Sequence, residues 1–180
     1  MMEDSAPPAS ITAAAAFLLL LSLSGAGPMP TVAQEAKCPF DGRRPPLGEI
    51  LKGPASQRPS LCKANLAGTN LAGADLGGTN LAEADLAGAD LTNVDLAGAA
   101  LTGADLTGAN LTGAKLNNAN LESAKLNNAN LSDANVTEAY LGSARLEGAN
   151  LISVKGITCD QLRAAKTDRA TKLPGGMKCS

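Results

Sequence analysis

The residues able to do chemistry in this chain are few, and the gaps among them are as informative as the residues present. There is no histidine in 180 residues, which removes the commonest general base and the commonest metal ligand. Four cysteines remain, Cys38, Cys62, Cys159 and Cys179, and an even count suits a disulfide framework in an oxidising compartment better than a thiol nucleophile. Four free thiols in a cytosolic protein is the other reading, and three pairings are open to four bridged cysteines. Carboxylates supply the rest: Asp75, Asp85, Asp90, Asp95 and Asp105 fall at multiples of five and, with Glu83, are the only charged residues between 64 and 113. Carboxylate pairs are the hard oxygen ligands that Ca²⁺ takes. No residue pattern marks a pocket that would shift their pKa values, so they read as solvated acids on an outer surface. Tyr140 is the one tyrosine in a chain without tryptophan, and an aromatic of that kind can anchor a protein partner. Neither a catalytic set nor a cofactor or metal site is expected.

These groups are positioned by an unusual periodicity. From Leu66 to Leu151 a large apolar residue stands at every fifth position, eighteen consecutive units with Leu in all but one, which has Val136. Two residues before each stands a smaller one: Ala in fifteen units, Thr69 and Thr79 in two, Val94 in one. A period of five matches neither the helical 3.6 nor the strand 2.0, so the unit of architecture is the pentapeptide itself. Most of the 44% hydrophobic content is Ala and Leu, and with so few aromatics the core must be made of stacked Leu.

Units such as Ala74-Asp75-Leu76-Gly77-Gly78, Ala104-Asp105-Leu106-Thr107-Gly108 and Ala129-Asn130-Leu131-Ser132-Asp133 resemble the A(D/N)LXX pattern of the pentapeptide-repeat family. The resemblance covers residues 64–153 and implies an all-β solenoid, a right-handed quadrilateral β-helix with four pentapeptides per square coil and about 4.5 coils in all. Each Leu would stack on the Leu twenty positions later, with Ala leaving room for Leu side chains from neighbouring faces. The same register would align Asp75 with Asp95 and Asp85 with Asp105, and would set Asp95 against Lys115 and Asp105 against Lys125 as cross-coil ion pairs. Asn70, Asp90, Asn110, Asn130 and Asn150 would form one column, with Asn80 and Asn120 on another face beside Tyr140.

Corners and ends follow from the same shape. Nine units carry Gly two residues after the central position and three carry Asn93, Asn118 or Asn128, as a type II turn with φ > 0 at its third residue prefers. The other six carry Glu83, Ser123, Asp133, Glu138, Ser143 and Ser153, for which other turn types are expected, chiefly in the later coils. Open ends of a solenoid invite edge association, so caps are expected. Pro45 to Gly53 reads as a short helix before the repeats. After them, Thr158 to Gln161 is a capping box opening a helix to about Lys166, with Leu162 packing onto the last coil and residues 170–174 as a closing segment. In a stack of this kind Cys62 and Cys159 lie at opposite ends, about four layers of ~4.8 Å apart, too far to bridge. Cys38 with Cys62 and Cys159 with Cys179 is then the simple pairing.

The chain therefore divides into a targeting segment at 1–33, a leading flank and cap at 34–63, the repeats at 64–155 and a helical cap and tail at 156–180. Residues 11–26 form a mostly apolar stretch below the ~18 residues of a spanning helix, followed by the small-x-small site Thr31-Val32-Ala33. Cleavage near Ala33 and export to a periplasmic or equivalent space are expected, with a retained anchor as the alternative because Glu3 and Asp4 stand where Lys or Arg is usual. The expected role is a non-enzymatic scaffold, a monomeric rod about 22 Å long on the strand spacing, offered to a protein or envelope partner, with no nucleic acid bound. Its candidate surface is Asp75, Asp85, Asp90, Asp95, Asp105 and Tyr140. The alternative implied by the resemblance is DNA mimicry directed at a type II topoisomerase, which requires a cytoplasmic address.

Overall fold

The computed structural model describes residues 38–51, 60–177 and 179, all within one compact unit, Ala36–Ser180. The expected targeting segment lies outside the described residues. From Asn65 to Asn135 every pentapeptide contributes one residue to a parallel bridge with the residue twenty positions on, which sorts the units into four faces. Face one stacks Asn65, Asp85, Asp105, Lys125 and Arg145; face two, Asn70, Asp90, Asn110, Asn130 and Asn150; face three, Asp75, Asp95, Lys115, Asn135 and Lys155; face four, Asn80, Ala100, Asn120 and Tyr140. Each face is a single bridge residue wide, and backbone hydrogen bonds nonetheless join each coil to the next. The Leu66 N–H donates to the Asp85 carbonyl at 2.7 Å, the Asp85 N–H to the Ala64 carbonyl at 2.9 Å, and at the corner the Gly68 N–H to the Ala87 carbonyl at 2.9 Å. A turn bond from the Thr69 N–H to the Leu66 carbonyl, 3.1 Å, closes the unit.

Packing explains the five-residue grammar. The central Leu residues are buried, from Leu66 at 0% exposure to Leu151 at 1%, and from Ala84 onward the small residues two before them are buried as well. Each fully buried Leu removes its whole side chain from water, worth roughly 1.5–3 kcal/mol. Thr79 occupies one of the inward small-residue positions, and its Oγ1 meets no hydrogen-bond partner among the described residues. The other inward threonine, Thr69, donates its hydroxyl to the Leu66 carbonyl at 2.6 Å.

The corners depart from the sequence expectation. Glu83, Ser123, Asp133, Glu138, Ser143 and Ser153 all have positive φ, between 57° and 61°, in the same left-handed region as Gly68 at 61° and Gly103 at 67°. No second turn type separates early from late coils. The corner N–H of Glu83, Ser123, Asp133 and Ser143 donates to a carbonyl of the next layer, and Glu138 and Ser153, which make no such bond, keep the same φ because the turn is closed by the Ala139 N–H on the Val136 carbonyl at 3.0 Å and the Val154 N–H on the Leu151 carbonyl at 3.2 Å. The strain of a non-glycine residue there, about 1 kcal/mol, is offset by these bonds.

Both ends are closed by the flanks. The Gly42 N–H donates to the Lys63 carbonyl and the Arg43 carbonyl accepts from the Asn65 N–H, setting a rung beneath face one. Helix α1 is only Leu47–Ile50. Helix α2, Cys159–Ala164, opens on the capping box of Thr158 and Gln161 and stops short of Lys166, because Ala165 turns into extended backbone. Lys166 then bridges to Arg145 and Lys172 to Asn150, so the chain after α2 lays a last rung over faces one and two. Over face four the helix itself serves: Gln161 Nε2 donates to the carbonyls of Val136 and Ala139 at 3.2 and 2.8 Å, and Leu162 is buried beneath it.

Candidate partner surface

The acidic residues singled out above are aligned by the twenty-residue register but are not gathered. Asp85 and Asp105 lie on face one, Asp90 on face two, and Asp75 and Asp95 on face three. In each, Oδ1 accepts the backbone N–H two residues on, at 3.1 Å for Asp75, Asp85, Asp90 and Asp95 and 3.0 Å for Asp105. One oxygen of every carboxylate is thus occupied in holding its own corner. The second oxygen of Asp95 accepts from Lys115 Nζ at 3.0 Å, and that of Asp105 from Lys125 Nζ at 3.0 Å.

These bonds set the ionisation. The Lys115 bond, then the Ala97 N–H, hold the Asp95 carboxyl below the ordinary value. At Asp105 desolvation pushes upward, and the bonds from Thr107 and Lys125 outweigh it. Asp90 is lowered by the Thr92 hydroxyl and N–H. Carboxylates held ionised in this way are structural anions, and none is poised to exchange a proton near neutrality. No group of three or more metal-ligating side chains occurs among the described residues.

The Asn column is a working ladder. Asn150 Nδ2 donates to Asn130 Oδ1 at 2.9 Å, Asn130 Nδ2 to Thr112 Oγ1 at 2.9 Å, and Asn110 Nδ2 to Thr92 Oγ1 at 2.8 Å, with the Thr92 hydroxyl donating to Asp90 Oδ1 at 2.6 Å. Threonine hydroxyls interleaved with the amides are visible only once corner residues two positions on are known to lean back over the face.

Cys38 bonds to Cys62 and Cys159 to Cys179, with Cα atoms 5.2 and 5.3 Å apart, one disulfide at each end of the stack. Tyr140 ends face four and is 67% exposed, the most exposed large hydrophobic among the described residues. Sequence reading missed its surroundings. Two shallow clefts, about 400 and 390 Å³, open on either side of the ring; Glu138 and Thr158 line one, Glu122, Gly142 and Asp160 the other. The signal was present in the register, which places the corner of Glu122 beneath that of Gly142.

Four faces, a Leu core and a twenty-residue parallel register define a repeat solenoid of the quadrilateral β-helix class. The family profile described as "Pentapeptide repeats" matches residues 60–98, 89–128 and 129–155, and the chain belongs to that family of right-handed quadrilateral β-helices. Among solved structures it is similar to the pentapeptide repeat protein Rfr23 from the cyanobacterium Cyanothece 51142, with 31% identity over 61% of this chain and 87% of that one and a TM-score of 0.54. It is also similar to HetL, a pentapeptide repeat protein involved in heterocyst differentiation regulation in Nostoc sp. strain PCC 7120, with 34% identity over 65% of this chain and a TM-score of 0.52; the match spans 52% of HetL. QnrB1, a plasmid-mediated fluoroquinolone resistance protein, shares 14% identity over 68% of this chain and 71% of that one, with a TM-score of 0.40. No curated protein matches the chain significantly.

Proposed function

We propose that this protein is an exported, non-enzymatic binding scaffold, a monomeric disulfide-stapled rod of about four and a half coils that offers its side faces to a protein or envelope partner. The observation that carries the reading is the placement of the two disulfides, Cys38 with Cys62 and Cys159 with Cys179, each joining a flank to one end of the stack. Such bonds persist where the surroundings are oxidising, which agrees with the apolar leader and the small-x-small site before residue 34. A scaffold role is supported by the surface chemistry, since the early-coil aspartates each hold a corner N–H, Asp95 and Asp105 also hold lysines, and the core is sealed Leu and Ala.

Intact mass of the protein from fractionated native cells, with and without thiol alkylation in the absence of reductant, tests this. A species beginning near Gln34 in the extracytoplasmic fraction, unalkylated and four protons light, is expected. A full-length cytoplasmic species with four alkylated thiols would overturn export. It would favour the other reading, mimicry of DNA toward a type II topoisomerase, for which the six acids and no base of residues 64–113 speak.

A further inference from the structure

The top of face four differs from every other place on the solenoid. Elsewhere the outward bridge residues are small, polar or charged; here the column Asn80, Ala100, Asn120 finishes in the exposed phenol ring of Tyr140. The next rung is not a strand, because α2 crosses instead and reaches down through the Gln161 amide to the Ala139 carbonyl. This leaves the ring standing between two clefts rather than against a neighbour.

The charged side chains that line its clefts are all acidic. Glu138 stands at the corner before Tyr140. Glu122 stands at the corner that follows face four one coil below, and it lines the same cleft as Tyr140 and Gly142. Among the described residues neither Glu122 nor Glu138 forms an ion pair. Asp160 is the third acid of the clefts, and its carboxylate is engaged by Arg163 at 3.0 Å. No basic side chain lines either cleft. An exposed aromatic face flanked by two uncompensated carboxylates is complementary to a cation with a delocalised or apolar stem: the ring attracts the charge, the carboxylates pair with it, and the clefts receive its methylenes.

We propose that the end of face four docks a basic segment of a protein partner, seating an Arg or Lys side chain over Tyr140 between Glu122 and Glu138. This rests on the scaffold reading above and gives the partner a chemistry. The acids of the early coils do not serve the same purpose, since Asp95 and Asp105 already hold lysines and no aromatic stands beside them.

The chain carries its own reporter: with one tyrosine and no tryptophan, tyrosine fluorescence reads Tyr140 alone. The purified, disulfide-bonded protein is titrated with acetyl-tetraarginine amide and, separately, with acetyl-tetraglutamate amide. A saturable fluorescence change with the arginine peptide and none with the glutamate peptide is expected. By calorimetry, Tyr140→Ala and the double variant Glu122→Gln/Glu138→Gln should each weaken the arginine peptide about fivefold, while Asp75→Asn/Asp95→Asn leaves it unchanged. These are surface changes, and an unaltered melting temperature certifies the fold of each variant. Absence of saturation, equal binding by Tyr140→Ala, or a loss confined to the early-coil variant would overturn the proposal. Neither result bears on export, which cell fractionation decides, and a cytoplasmic species would leave the peptide titration untouched.

Discussion

The first half of the solenoid and the second are built from different corner residues on the same backbone. Through Gly113 glycine dominates the corners; beyond it Asn118, Ser123, Asn128, Asp133, Glu138, Ser143 and Ser153 take over, with Gly148 the exception. Yet φ changes little, from 67° at Gly103 to 59° at Ser123 in the same corner column. The difference teaches that corner conformation belongs to the stack, and that glycine lowers the cost of a geometry it does not dictate. Charge follows a second contrast, acids in the leading coils and Lys115 and Lys125 above them, and the register converts that gradient into vertical pairs.

The core should erase the contrast between halves. Leu86→Ala and Leu126→Ala remove side chains of 0% exposure from equivalent levels of face one, and each should cost about 2–5 kcal/mol in urea unfolding. A much smaller loss in the second half would show that the later coils pack loosely. Thr79 offers a gain: Thr79→Val keeps the volume, follows the precedent of Val94 and removes a buried hydroxyl without a partner, so stabilisation of about 1 kcal/mol is expected from the shift in the urea midpoint.

The corner comparison is sharpened by a reciprocal swap within one column. Ser123→Gly relieves left-handed strain and should gain about 0.5–1 kcal/mol, while Gly103→Ser, whose added Cβ meets only Glu83 Cγ at 3.6 Å, should lose a similar amount. Equal effects of the same sign would refute the view that φ is imposed by the stack.

Ion pairing gives the smallest effect. Lys115→Met should lower stability by at most about 1 kcal/mol, less at high salt. The pH dependence has a definite sign. Asp90, Asp95, Asp105 and Asp168 titrate below their ordinary value near 3.8 when folded, so the stability they contribute is present above that pH and disappears as pH falls through the folded values. Thermal melting from pH 6 to pH 2 should show an acid-side loss, with the part due to Asp95 reduced in Lys115→Met.

How much of this was legible beforehand depends on whether a residue acts within its own unit or across coils. Leu and Ala positions follow from the repeat, and the twenty-residue alignment of Asp95 with Lys115 and the end-to-end separation of Cys62 from Cys159 follow from the square coil that the family resemblance implies. The six corners that are neither Gly nor Asn did not, since a local turn rule weighs side-chain preference and omits the stack in which the turn sits. Helix α2 also ended earlier than its capping box suggested, because Lys166 is drawn off to pair with Arg145.

By itself the amino-acid sequence determined the pentapeptide unit and the Leu core, because a strict apolar period of five must be buried by stacking, and its A(D/N)LXX units carried the family resemblance that implies the class of fold. Only the tertiary structure decided what stands at the ends: that Lys166 and Lys172 complete the last rung, that the Gln161 amide takes the place of a strand over face four, and that Tyr140 is left between Glu122 and Glu138. Those outcomes depend on non-repeating chain meeting a finished stack, where unpaired carbonyls and open apolar surface select the partner and no periodicity announces it.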